Sequence, residues 1–263
     1  MIFKKSQLQN VATSLFKRAL TVALAAALYA GVSVPAQAFD EAEQADIEAI
    51  IHNYLVENPE ILEEMISALN SQNEATAERA ARREIAANRE AIFNPGASFV
   101  AGNPIGDITL VEFFDYTCSF CKQSLADVRK LIKEDPGLRV VFIDYPTLAD
   151  RNPASMMAIR ASVAAAEQGK YWPYHLKLMG SKTGLTSKNI IRYAGEVGLD
   201  VEQLLKDMNA PETYRRIDAN IELAHRLGIN GTPSFVIGNQ VLAGARGHEA
   251  LKRLIAQQRA AKK

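Results

Sequence analysis

Apolar residues recur at helical spacing over residues 40–94, in two stripes separated by Asn58-Pro59. This spacing predicts two helices, the second beginning at the proline. Residues 73–92 continue as a helix rich in Ala, Glu and Arg, which Asn94-Pro95-Gly96 ends. The stripes consist of Ile47, Ile50, Ile51, Tyr54 and Leu55, and of Ile61, Leu62, Met65, Ile66 and Leu69.

Both stripes precede the first predicted strand, so they must either fold back onto a later core or pair with copies of themselves. A helix with a narrow apolar stripe buries little surface alone. We therefore predict that residues 39–95 form a helical oligomerisation region, which would make a homodimer or a homotrimer. Docking onto the chain's own core is the alternative.

A β-α-β unit is predicted over residues 104–145. Ile108 to Phe114 is an apolar run typical of a buried strand, and Ser119 to Glu134 has a helical pattern. A second apolar strand runs from Leu138 to Ile143. A connection of this length predicts that the two strands are parallel.

Only helical patterns occur from about 150 to 230, which is more than a simple crossover needs. The expected helices cover 152–168, 171–179, 187 to 195 or 198, and 211–227, and strands at 234–237 and 240–243 and a helix at 248–260 follow. The sequence thus predicts an α/β domain over 96–263 with an inserted helical subdomain.

The first 38 residues have the composition of a secretory signal peptide. A basic start precedes the apolar stretch Ala19 to Val34, and Ala36-Gln37-Ala38 provides small residues for cleavage. The stretch is shorter than the ~20 residues of a membrane span. We expect cleavage after Ala38 and a periplasmic location, with an uncleaved membrane anchor as the alternative.

Charge gives no support for a nucleic-acid partner. The chain carries 30 basic and 30 acidic residues, and the signal takes away four basic ones, which leaves 26 against 30. A slightly acidic chain lacks the basic surface that nucleic-acid binding requires.

The only two cysteines, Cys118 and Cys121, stand two residues apart directly after the first strand. Zinc needs four ligands, and the four histidines are widely spaced. Covalent haem attachment needs His where Lys122 stands. A purely structural disulfide across so short a loop would add little stability.

A redox pair fits this position better. Free N–H groups and the helix dipole lower the pKa of a thiol at a helix N-terminus. We therefore expect Cys118 to be the exposed nucleophile, and Cys121, one turn later, to be the more buried resolving thiol. Pro233 begins the later strand, as a residue without an N–H should; the sequence by itself gives no reason to expect a cis bond there.

Three stretches of the chain resemble the DsbA family of bacterial thiol-disulfide oxidoreductases. They are VEFFDYTCSFC, YWPYH from Tyr171 to His175, and GINGTPSFVIGNQVLAG from Gly228 to Gly244. The resemblance covers about 104–260 and implies a thioredoxin fold with a helical insertion and no bound cofactor. Trp172 and His175 match a packing motif of that insertion.

The resemblance also implies roles for individual residues. Thr232-Pro233 would be a cis bond facing the cysteines, with Thr232 offering its backbone to a substrate peptide. Glu112 occupies the place of a buried acid that helps move the proton of Cys121. Ser119 and Phe120 would contact substrate, and they replace the Pro-His of strongly oxidising members, so oxidising power is left open.

Residues 40–94 resemble the N-terminal extensions of ScsC-type relatives, and Thr232 is more typical of relatives that isomerise disulfides. The expected partners are unfolded or misoxidised exported proteins and a membrane redox protein that resets the cysteines. Two alternatives to an oxidase or isomerase remain. One is a Cu(I)-binding protein of the copper-tolerance type, since two close thiols can hold Cu(I). The other is an oligomeric surface protein or chaperone.

Overall fold

The computed structural model describes residues 40–96 and 99–262 of the chain, and the predicted signal peptide of residues 1–38 lies outside them. The chain divides into two compact units, one up to Ile66 and one from Ser67 onward. Helix α1 spans Glu41–Glu57, and helix α2, Glu60–Ala87, crosses the division. The predicted boundary at 95/96 therefore falls within the second unit.

The described part of the first unit, residues 40–66, is helical, and none of its side chains is fully buried. Asp40 caps α1, accepting a hydrogen bond from the Glu43 N–H while the Glu43 carboxylate accepts one from the Asp40 N–H. Such a reciprocal cap fixes where a helix begins. The apolar stripes of α1 and of the first part of α2 are largely exposed, and the exposed residues include Ile50, Ile51, Tyr54, Leu62 and Met65.

The second unit contains a five-stranded sheet in the order β1-β3-β2-β4-β5. Strands β2 and β3 are parallel, and the other three pairs are antiparallel. The strands are β1 Val100–Gly102, β2 Ile108–Phe114, β3 Leu138–Asp144, β4 Ser234–Ile237 and β5 Gln240–Ala243.

Eight further helices accompany the sheet in the described part of this unit. Helix α4 connects the parallel strands, and five helices lie between β3 and β4, as the predicted insertion requires. The helices are α3 Arg89–Phe93, α4 Ser119–Glu134, α5 Pro153–Glu167, α6 Tyr171–Met179, α7 Ser187–Glu196, α8 Val201–Asp207, α9 Pro211–Arg226 and α10 His248–Ala260.

Alternation along the central strands supplies both faces of the sheet with apolar side chains. Leu110 and Phe114 of β2 face the larger core. Val111 and Phe113 face the smaller one, where Ile85 of α2 is also buried. The end of α2 therefore packs with the sheet, which is the alternative the sequence left open for this part of the N-terminal region.

Two elements were not expected from the sequence. Strand β1 has three residues and ends in Gly102, too short a run to give an alternating signal. Helix α8 has seven residues and begins at Asp200, which accepts a hydrogen bond from the Gln203 N–H. The predicted fold class is confirmed: an α/β thioredoxin fold with an inserted helical subdomain, preceded by helices.

Within residues 40–96 and 99–262, no helix has both the length and the apolarity to cross a bilayer.

Candidate active site

The loop that presents the cysteines is held by one buried carboxylate. Asp115 accepts hydrogen bonds from the Thr117 N–H at 2.8 Å and the Ser155 hydroxyl at 2.6 Å. It also accepts from the Leu148 N–H at 3.1 Å. These donors come from three segments, so Asp115 fixes the β2–α4 loop against the start of the helical insertion.

Cys118 is the N-cap residue of α4, with the helix beginning at Ser119. The pKa of its thiol is lowered from 9.0 to about 6. The largest cause is a hydrogen bond from the Cys121 thiol, and the Thr232 hydroxyl and the N–H groups of Phe120 and Cys121 lower the pKa further. Each favours the thiolate by donating to it. This lowered pKa favours the thiolate form of Cys118 at neutral pH.

Cys121 lies one turn into α4 and is fully buried. Burial raises its pKa far above the ordinary value, and the proximity of Cys118 and Glu112 adds to the rise. Both cysteines are free thiols in this structure. The pair thus combines one ionised sulfur with one protonated sulfur, which is the asymmetry that stepwise thiol-disulfide exchange requires.

The residue before Pro233 contacts the nucleophile directly. The Thr232-Pro233 peptide bond is cis, as the family resemblance implied. The Cys118 sulfur lies 3.2 Å from the Thr232 carbonyl oxygen, to which it donates a hydrogen bond when it is protonated. The Thr232 hydroxyl lies 3.2 Å from the hydroxyl of Thr147. Thr147, Thr232 and Cys118 therefore form one connected group at the carboxyl end of β2.

The exposure expected for Cys118 is not found. Only 7% of the residue is accessible, against none of Cys121. The carbonyl oxygen of Thr232, which lies 3.2 Å from the sulfur, contributes to this burial. Ser119 is exposed and Phe120 is 62% exposed, so the side chains between the cysteines form the accessible part of the site.

Glu112 lies on the central strand β2, paired with Phe142 on one side and Phe235 on the other. It is only 1% exposed, and its Oε1 makes no hydrogen bond within the described chain. Burial raises its pKa to about 8, the Ser124 hydroxyl opposes the rise, and the charge of Cys118 adds to it. Glu112 is thus a protonated acid close to both thiols at neutral pH.

His175 lies among aromatic rings and is not among the causes that shift the pKa of either thiol. It is fully buried, stacks on Trp172 with ring centroids 5.5 Å apart, and lies 3.1 Å from the Tyr116 hydroxyl through Nδ1. Burial lowers its pKa to about 3, so the ring is neutral. The packing role predicted for Trp172 and His175 agrees with this position.

Sequence reasoning missed Asp115 and Thr147. Asp115 could have been found, because a carboxylate directly after a buried strand stands at the functional edge of the sheet. Thr147 lies 29 positions beyond Cys118, in a loop without a motif. No group of three or more His, Cys, Asp or Glu residues is arranged for a metal ion within the described ranges.

Residues 109–256 match the family model of the DSBA-like thioredoxin domain. The chain belongs to this family. Residues 43–76 match the model of the copper resistance protein ScsC N-terminal domain. The two matches divide the chain between the α/β domain and the helices before it.

Solved structures give the same result. A thioredoxin-like oxidoreductase from Silicibacter pomeroyi is 42% identical, covering 67% of this chain and 99% of its own, with a TM-score of 0.61. A linker-deletion mutant of Proteus mirabilis ScsC is 25% identical over 86% of this chain and 99% of its own, with a TM-score of 0.63. Salmonella enterica BcfH, at 24% identity and a TM-score of 0.68, shares the fold.

Among curated proteins, the Na(+)/H(+) antiporter NhaA 3 of Salinispora tropica is 30% identical over 158 residues. That match covers 60% of this chain but only 24% of the antiporter. The chain therefore spans about a quarter of the curated relatives' length. Fold and family models together define a DSBA-like thioredoxin domain that carries a Cys-x-x-Cys pair and follows a region matching the ScsC N-terminal domain.

Proposed function

We propose that this protein is a periplasmic oxidoreductase that isomerises and forms disulfide bonds in exported proteins. The observation that carries the proposal is the asymmetry of the pair: Cys118 has a pKa of about 6, whereas Cys121 is buried and protonated. A thiolate attacks disulfides and a thiol does not. The signal-like residues 1–38 support the location.

Isomerisation would begin with the reduced pair. The Cys118 thiolate attacks one sulfur of a wrong client disulfide, forming a mixed disulfide and releasing the other client sulfur as a thiolate. A different client thiolate then attacks the client sulfur of the mixed disulfide, which forms a new client disulfide and returns Cys118 as a thiolate. No net electrons are exchanged in this cycle.

When no client thiol attacks the mixed disulfide, Cys121 can release the client from Cys118. After losing its proton, it attacks Cys118 Sγ, which forms the Cys118–Cys121 disulfide and releases the client sulfur in reduced form. Glu112 is the group we propose to accept that proton, in the fraction of molecules in which its carboxylate is ionised, because its charge is one of the causes that raise the pKa of Cys121. Run in reverse, the same steps oxidise a client dithiol.

The helices before Ser67 support an oligomer. Their apolar stripes are exposed in the single chain, and the ScsC N-terminal match covers the same residues. Burying an exposed apolar side chain stabilises an interface by about 1.5–3 kcal/mol. We propose a homodimer or homotrimer through this surface, which brings two or more active sites to one client and favours isomerisation.

Refolding of scrambled ribonuclease tests the isomerase, and reduction of insulin tests the oxidoreductase. The mature chain should regain ribonuclease activity in a catalytic manner, and Cys118→Ser should give only the uncatalysed rate. A wild-type rate equal to that of Cys118→Ser in both assays would overturn the proposal. Alkylation trapping in cells would then show whether a membrane oxidase or a membrane reductase resets the pair.

A further inference from the structure

A groove of about 580 Å³ lies between α2 and β5, apart from the cysteine pair. Ala77, Ala80 and Ala81 of α2 line one wall, and Gln240–Ala243 line the other. The turn at the end of α9 closes it near Leu227 and Gly228. All of these residues belong to the unit that begins at Ser67.

Strand β5 is an edge strand, because β4 is its one neighbour in the sheet. Gly238-Asn239 joins the two strands in a two-residue turn, with Ile237 opposite Gln240. In such a ladder alternate residues point their N–H and C=O groups away from the partner strand. Val241 and Ala243 therefore direct theirs outward, and neither N–H donates to a backbone carbonyl oxygen elsewhere in the described chain.

The lining identifies which side of β5 the groove follows. A groove on one face of a sheet would be lined by every second residue of a strand, because side chains alternate. Here consecutive residues from Asn239 to Ala243 line it. The groove therefore runs along the open edge of β5, beside the outward-pointing backbone groups.

The opposite wall leaves room for a backbone. Ala77, Ala80 and Ala81 lie at helical spacing on one face of α2, and alanine is the smallest side chain that keeps a helix stable. Charges of both signs, including Arg82, Arg246 and Glu78, lie around these alanines. The groove would therefore recognise a ligand through backbone hydrogen bonds and not through net charge.

The end of β5 that lines the groove lies next to the segment that contacts Cys118. Ala243 is paired with Ser234, and the next N–H, of Gly244, donates to the Pro233 carbonyl oxygen at 2.8 Å. The residue before Pro233 contacts the Cys118 sulfur. A chain lying along β5 would therefore end one strand away from the nucleophile.

We infer that this groove binds an extended, unfolded segment of a client polypeptide as an added strand on β5. The segment pairs its backbone with Val241 and Ala243 and lays small apolar side chains against the alanines of α2. This deepens the proposed function and rests on it for the identity of the client. It adds a site that holds a client while Cys118 exchanges its disulfides.

The test uses a fluorescently labelled ribonuclease that is reduced and carboxymethylated, so that it is permanently unfolded and has no thiols. Its binding to the full mature protein is followed by fluorescence anisotropy. Ala77→Phe fills the groove, and Ala243→Pro removes an outward N–H while keeping the pairing with β4. Each should raise the Kd about fivefold or more, the effect of one lost hydrogen bond or a blocked contact.

Ala75→Phe is the matched control, because residue 75 lies on the same helix outside the groove lining. It should bind like the wild type, and so should Cys118→Ser, which keeps binding separate from disulfide exchange. In insulin reduction the two groove variants should raise KM and leave kcat unchanged. Wild-type binding by both groove variants would overturn the inference. An equal loss of binding affinity in Ala75→Phe would also overturn it. A change of oligomeric state in Ala77→Phe would overturn it as well, because the groove would then be a contact between copies of the chain.

Discussion

The Sγ atom of Cys118 lies 3.2 Å from the carbonyl oxygen of Thr232, across 114 positions of sequence. The same threonine approaches the sulfur through its hydroxyl, which stabilises the thiolate. A carbonyl favours the protonated thiol, whereas a hydroxyl favours the ionised one. Thr232 therefore acts on both states of the nucleophile, and its side chain affects only one of them.

Replacing Thr232 by Val keeps the shape and the backbone carbonyl but removes the hydroxyl. We expect the pKa of Cys118 to rise and its reaction with iodoacetamide below pH 7 to slow, because less thiolate is present. Thr147→Val is the matched control, since its hydroxyl contacts Thr232 and not the sulfur. A pH profile of alkylation that is the same in both variants would contradict a direct role for the Thr232 hydroxyl.

Cys121 should control the ionisation of Cys118 more strongly than any other side chain, because its thiol is the largest cause of the lowered pKa. In Cys121→Ala the alkylation midpoint should move from about 6 toward the ordinary value of 9.0. Cys121→Ser keeps a donor and should move it less. Both variants should also accumulate mixed disulfides with clients on non-reducing gels, because the resolving thiol is missing.

Equal midpoints in Cys121→Ala and the wild type would show that the helix N-terminus, and not the second thiol, sets the ionisation of Cys118.

Glu112 and Asp144 are both buried acids that should affect stability, but only Glu112 should also affect disulfide exchange. Burial raises the pKa of Glu112 to about 8 and that of Asp144 to about 7. The folded state therefore binds more protons than the unfolded state above pH 4.5, so each acid makes the protein less stable as pH rises toward its folded pKa. For Glu112 the loss by pH 7 is roughly 3 kcal/mol at most.

Glu112→Gln and Asp144→Asn should each flatten the fall in unfolding free energy between pH 5 and 8. The Cys118→Ser background removes the opposite contribution of the thiol, whose lowered pKa adds stability as pH rises above 6. Urea unfolding at several pH values measures the effect. In the protein with both cysteines, only Glu112→Gln should alter the pH profile of insulin reduction, since Asp144 is not among the causes of either thiol's shift.

The regular elements were predictable because their signals are local. Ile108–Phe114 and Ser119–Glu134 have the bounds that their apolar runs and turn residues indicate. The contact between Cys118 and Thr232 was available only through the family resemblance, since two residues so distant in sequence leave no local signal. The covered state of Cys118 follows from that contact, and composition gives no sign of it.

In the N-terminal region the periodic pattern predicts helices but does not predict which part of them packs with the sheet. Its stripes predict helices, which are present, but the second stripe ends at Leu69 while the same helix α2 continues to a part that packs with the sheet. Ile85 of α2 and Ile92 of α3 are both buried in this part of the chain. A truncation at residue 96 would remove both from the core, so the oligomer is better tested by substitutions before Ser67.

Ile51→Glu together with Leu62→Glu should disrupt the proposed oligomer, because each places a charge on an exposed apolar position where an interface would bury it. Light scattering should give the monomer mass for the double variant and a multiple of it for the wild type. Asn53→Glu, an exposed polar position on α1, is the control and should stay oligomeric.

The monomer should reduce insulin at the wild-type rate, since the site lies in the other unit, but refold scrambled ribonuclease several-fold more slowly. If the wild type is itself a monomer, the exposed stripes need another partner. If the monomeric variant isomerises as well as the oligomer, the coupling between assembly and isomerisation is wrong.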